Sequence, residues 1–192
     1  MSYKKLYEFC QQQNIPVSRS VLIRKVKELT GKSALVVKSD LNPDLVRGFF
    51  LSANNKSIRI VQQAQGRAVI VLARQLNYCW ERFVWSKELM HLFDDNAINN
   101  VSNAADFENL LEEFASPQLE RSDMMDAEVR SFWMALGALC PEAKRQEFEA
   151  LRRAGQITDL EIATRLRIPE HYVRTLFEQR FKENIRKLLD EN

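Results

Sequence analysis

The chain has 192 residues, with 28 Lys+Arg against 26 Asp+Glu and a formal net charge of +2. Hydrophobic residues make up 45%, and Gly and Pro number only five each, which excludes a collagen-like, low-complexity or disordered chain. No run approaches the ~20 apolar residues of a membrane span. The N-terminal Met-Ser-Tyr-Lys-Lys-Leu lacks the apolar core of a signal peptide, so the expectation is a cytoplasmic protein without a membrane partner.

Charge is distributed unevenly. Residues 1–50 hold nine basic and four acidic side chains, whereas residues 101–128 hold one basic and eight acidic. A protein that relies on DNA phosphates for affinity usually carries a larger positive excess than +2. Cys10, Cys79 and Cys140 are odd in number, far apart and without CxxC spacing. They indicate buried reduced thiols rather than a disulfide framework or a thiolate zinc site. Only two histidines are present, His91 and His171.

In chain order, residues 3–13 predict a short helix with Leu6, Phe9 and Cys10 on one face, broken by Asn14-Ile15-Pro16. Ser18 can cap a second helix over 19–29, and Gly31 suits its left-handed cap. The period then changes. Residues 34–37, 48–51, 57–61 and 68–72 are short apolar or alternating runs, which predict three or four strands in antiparallel hairpins. Asn54-Asn55 suits a hairpin turn. From Asn77 to about Phe93 the helical period returns. Phe107, Leu110, Leu111 and Phe114 suggest a short amphipathic helix. Ser122 can cap a helix over 123–139 that Cys140-Pro141 stops, and helices over 142–153 and 158–189 complete the chain. The expected fold class is α+β, with a small, mostly antiparallel sheet. The expected divisions are N-terminal helices (1–32), a central domain (33–141) and a helix-turn-helix-like helical segment (142–192) packed on that same domain.

The pentapeptide Lys87-Glu88-Leu89-Met90-His91 keeps the second and fifth positions of HExxH. In that motif two histidines one helical turn apart hold Zn²⁺, and the glutamate activates the metal-bound water. The motif order around it is informative. The strand Ile70-Val71-Leu72, a short turn, then Arg82-Phe83 followed by Glu88 and His91 resembles the ImmA/IrrE family of metallopeptidase-like domains. That family has a downstream E-x-x-A-N-x-F-A helix ending near Leu-x-x-Pro. Here the matching stretch is Asp126-Ala-Glu-Val-Arg130-Ser-Phe-Trp133, then Leu139-Cys140-Pro141. Gly48-Phe49-Phe50 resembles the family's glycine-containing strand, and residues 157–178 its helix-turn-helix-like segment. The resemblance runs from about Val36 to Phe181 with motif order preserved.

The resemblance implies zincin-like helices, Glu88 as an actual or vestigial general base, and His91 and Asp126 as metal ligands. Glu128 and Asp95 stand as alternative ligands. The departure falls on the chemistry: Lys87 replaces the first histidine, and an ammonium offers a metal no lone pair and a repelling charge. The leading expectation is therefore a pseudopeptidase in which Lys87 pairs with Glu88, Asp126 or Glu128 and no cofactor is held. It would bind a protein partner, a helix-turn-helix repressor or other regulator, in a bacterial or phage system. One alternative is an active metallo-endopeptidase that holds zinc or manganese through a non-standard set including Glu88, His91, Asp95 and Asp126. The other is a DNA-binding regulator using residues 158–180. Thr158 and Glu161 form a capping box there, and Arg165, Arg174 and Arg180 are candidate contacts to a partner or to DNA.

Overall fold

The computed structural model describes residues 3–94, 109–110, 112–113 and 122–190. Two helices come first, α1 (Tyr3–Gln11) and α2 (Arg19–Thr30). Tyr3, Leu6 and Cys10 are buried at helical spacing on α1, and Leu22, Val26 and Thr30 on α2. Gly31 takes φ 69° and closes α2 with its N–H on the Lys27 carbonyl.

Three strands follow, β1 (Ala34–Ser39), β2 (Gly48–Leu51) and β3 (Ala68–Ala73), in the order β1-β3-β2. β3 is central and buried throughout, as its unbroken Ala-Val-Ile-Val-Leu-Ala run requires. It pairs with β2 antiparallel, Phe50 opposite Ile70, and with β1 parallel, Val36 opposite Ile70. The sheet is therefore mixed, not mostly antiparallel. The expected strand over 57–61 is instead helix α3 (Arg59–Gln63), with Ile58 at its N-cap. Ser-Ile-Arg-Ile-Val fits strand and helix periods alike over so short a run, and packing of Val61 under the sheet decides for helix. Asn54-Asn55 accordingly turns the chain into α3 rather than closing a hairpin. The intervening β2 and α3 give β1 the long connection that a parallel pairing needs.

The two faces of β3 serve two cores. Ala68, Ile70 and Leu72 enter the main core, while Val69 and Val71 join a small one with Leu51, Val61 and Ala64. Against the main-core face lies α4 (Tyr78–Met90), whose Asn77 cap accepts the Trp80 N–H at 3.0 Å. It continues as a 3-10 turn over His91–Phe93. Of the expected helix around Phe107–Phe114, Asn109, Leu110, Glu112 and Glu113 are helical, while Phe107, Leu111 and Phe114 lie outside the described residues.

α5 (Asp123–Leu139) starts at Ser122, whose hydroxyl accepts the Met125 N–H, and packs across α4. α6 (Glu142–Arg153) and α7 (Asp159–Leu166) follow, and Thr158 and Glu161 complete a capping box. Arg167 closes α7 at φ 55°, in the left-handed position that glycine usually fills. Two 3-10 turns, Glu170–Tyr172 and Arg174–Phe177, lead to α8 (Gln179–Asp190). Pro169 leads into the first of these turns, and residues 170–177 form 3-10 turns rather than one continuous α-helix.

The first and last helices share the main core with the central segment. Tyr3 and Leu6, Trp133 and Leu136, and Ile185 and Leu188 belong to one cluster. Gly137 is where they meet. A Cβ there would lie 2.7 Å from both the Tyr3 hydroxyl and Ile185 Cδ1. The Tyr3 hydroxyl in turn donates to the Met134 carbonyl at 2.8 Å. Residues from 3–32, 33–141 and 142–190 thus contribute to one hydrophobic cluster. No helix among the described residues is long and apolar enough to cross a membrane.

Candidate functional site

The site forms where α4 crosses α5. Positions 87, 88 and 91 of the chain share the end of α4, since residues three and four apart lie on one helix face. The Lys87 ammonium donates to Glu88 Oε1 at 2.7 Å and to Glu128 Oε2. His91 Nε2 lies 3.2 Å from Glu128 Oε1 and 3.6 Å from Glu88 Oε2. It also lies 3.2 Å from the Ser131 hydroxyl, which itself donates to the Glu128 carbonyl at 2.9 Å. Ser131 thus spends its proton on its own helix, and every group near Nε2 is an acceptor. That arrangement assigns the hydrogen to Nε2. Phe50 of β2 stacks on the imidazole, ring centroids 5.3 Å apart and planes 18° from parallel.

Burial and charge act in opposite directions on the two carboxyls. Burial raises Glu88 above its usual range, and the Glu128 charge adds to this against the pull of Lys87 and His91. Burial also pushes Glu128 up, but the Lys87 and His91 charges outweigh it and hold that carboxyl well below the usual range. Lys87 is held charged, because attraction by Glu128 and Glu88 exceeds its own burial cost. Glu88 Oε2 is buried and has no hydrogen-bond partner among the described residues.

Of the sequence-predicted residues, Lys87, Glu88, His91 and the alternative Glu128 come together. Asp126 does not. It is exposed on α5, two residues from Glu128 and so on the opposite side of the helix. Asp95 lies outside the described residues. Arg165 is exposed on α7, Arg174 sits in a 3-10 turn with its side chain 82% exposed, and Arg180 is on α8. These three arginines share no single helix. Ser131 and Phe50 were not indicated by the sequence pattern. Ser131 is three residues after Glu128 and could have been inferred from helical spacing; nothing local marks Phe50.

Glu88, His91 and Glu128 offer three donor atoms within 4.8 Å of one another. Three protein donors suffice in number for a catalytic zinc. The charge does not suit one, because the Lys87 ammonium already bonds both carboxylates. A divalent ion held by these donors would sit against a cation. The residues present therefore do not fit a resident catalytic metal.

Beside this group opens a cleft of about 530 Å³. Its aromatic wall is built round Tyr172, whose ring centroid lies 4.5 Å from that of Phe83, 5.1 Å from Phe132 and 5.4 Å from Trp80. Trp133 and the β2 end of the sheet complete the lining, and Lys87, Glu88 and Glu128 also line it. Trp85 is buried in the core and does not line the cleft, whereas Trp133 belongs to the same core and also borders the cleft. Comparison of the chain with protein-family models, with curated proteins and with solved structures finds no match.

Proposed function

We propose that the chain is an ImmA/IrrE-like pseudopeptidase, a regulatory protein of a bacterial or phage system. It acts by binding a protein partner such as a helix-turn-helix repressor. The observation that carries this reading is the Lys87 ammonium bonded to Glu88 and Glu128. In the resembled family a histidine at the place of Lys87, the histidine at the place of His91 and an acidic residue of the downstream helix would hold a metal. Here a lysine side chain supplies a positive charge from within the chain and bonds both carboxylates. The neighbouring cleft, large enough for several side chains of a partner segment, supports binding as the retained activity.

The reading predicts well under one equivalent of metal by elemental analysis of the purified protein. One tightly held equivalent of zinc or manganese would overturn it. Lys87→His should be the single change most able to confer metal binding, and Lys87→Ala should not confer it. A partner that co-purifies uncleaved, and still binds Glu88→Gln, agrees with this function. Cleavage that is lost in Glu88→Gln would establish the peptidase instead.

A further inference from the structure

The cleft beside the site carries an uneven set of charges. Glu88 and Glu128 line it, but both are bonded to Lys87. Two further cations face it, Arg47 next to β2 and Arg180 on α8. Arg180 bonds Glu178 and lies over Trp133, 5.9 Å from the ring centroid. Arg47 lies over Trp80 at 4.1 Å and has no carboxylate partner among the described residues. Arg47 and Lys87 both act on the Tyr172 hydroxyl, favouring its ionised form, although burial still raises that group. An aromatic cleft is thus lined by a guanidinium that no carboxylate among the described residues compensates.

A guanidinium held over an aromatic face still has several N–H donors to offer a planar acceptor. A carboxylate is that acceptor among protein side chains, and it takes two parallel N–H bonds from such a fork. The walls meanwhile suit aromatic or aliphatic side chains.

We infer that the cleft takes an acidic peptide segment of a partner protein, with an apolar side chain seated against Trp80, Tyr172 and Trp133 and a neighbouring carboxylate on Arg47. This rests on the reading of the cleft as a partner-binding groove and names the chemistry of what enters it. Charge complementarity selects an acidic segment over a basic or neutral one.

The test uses the full chain and three capped hexapeptides: Asp-Leu-Phe-Glu-Leu-Asp, the same peptide with lysine at the acidic places, and the same with serine. Tryptophan emission reads binding, because Trp80 and Trp133 line the cleft. The acidic peptide should bind about tenfold more tightly than the serine peptide at low salt, an advantage that shrinks as salt rises. Arg47→Gln should remove most of that advantage, and Arg47→Glu should turn the preference toward the lysine peptide. Equal or better binding of the lysine peptide by the unaltered chain overturns the inference, as does an acidic preference untouched in both Arg47 variants. Failure of all three peptides to bind overturns it also. The pseudopeptidase reading is judged separately by metal content: an acidic preference in a protein that holds one equivalent of metal supports the inference while removing that reading.

Discussion

Asp126 and Glu128 sit two residues apart on one helix and face opposite ways, the first to solvent and the second onto Lys87 and His91. Two steps of an α-helix turn the side chain by about 200°. Two acids that look interchangeable in the sequence therefore have different energetic roles. Asp126→Asn should change stability by less than about 0.5 kcal/mol, as surface changes usually do. Glu128→Gln should cost about 2–4 kcal/mol, because it leaves a mostly buried ammonium with a single carboxylate. Urea unfolding of the two variants beside the unaltered chain measures both. Equal losses at the two positions would remove Glu128 from the site.

The two buried carboxyls give opposite pH dependence. Glu128 is held below its usual range when folded, since Lys87 and His91 outweigh its burial. As pH falls, the unfolded chain takes that proton first, at about 4.3. The stabilisation from Glu128 is thus full above that value and is lost as pH falls toward the folded pKa. Glu88 is raised by burial, so its folded form takes the proton first and gains relative stability on acidification. Denaturant melts between about pH 6 and about pH 3 should show the unaltered chain losing its advantage over Glu128→Gln. Over the same range it should gain on Glu88→Gln. A Glu128→Gln advantage that stays constant with pH would contradict the pairing.

Gly48 places β2 against α4. A Cβ there would come 2.7 Å from the Val71 carbonyl oxygen and 2.7 Å from Val84 Cγ1. Neither the backbone of the central strand nor a buried branched side chain can step aside easily. Gly48→Ala should therefore cost about 1–3 kcal/mol through overpacking. It should also disturb the Phe50 ring on His91, two residues along the same strand. Thermal melting reads the first effect, and the His91 ring-proton chemical shifts read the second. A variant with unchanged melting would show that the strand–helix spacing is slack.

Burial pushes the thiols of Cys10 and Cys140 up to about 12, while Cys79 is only partly buried. The thiolate is the reactive form, so the first two should be inert near neutral pH. A thiol reagent added to the folded protein should label one cysteine rapidly, and peptide mapping should place it at Cys79. Rapid labelling of Cys10 or Cys140 in the folded chain would mean that the main core opens readily.

Much of this fold is legible in local chemistry. Gly31, Ser122, Asn77 and the Thr158–Glu161 box mark helix ends where backbone groups need partners, and each acts at its own position without help from distant residues. Sheet pairing is less legible. The direction of β1 against β3 depends on where β2 and α3 pack, and nothing in Ala34–Ser39 itself records that. The run 57–61 carries both periods, so only Val61 finding a core beneath the sheet resolves it. In the site, the spacing of Lys87, Glu88 and His91 along one helix is visible in the sequence. The choice of Glu128 over Asp126 depends on the rotation of α5 against α4, which the packing of Ala127, Trp133 and Met134 sets. The broken helix after Pro169 has a similar origin. Val173 and Leu176 are both buried in the main core, a spacing that α-helix and 3-10 turns satisfy alike, so the local pattern does not choose between them.

Helix α4 has almost no outer side. Arg82 through Ser86 are buried in unbroken succession, followed by Glu88, Leu89 and Met90. Neighbours along residues 82–90 hold this part of the rod in place, although Trp80 and Lys87 still reach the cleft. An exchange at residue 87 between a metal-coordinating ring and an ammonium would then alter reactivity while leaving the framework standing.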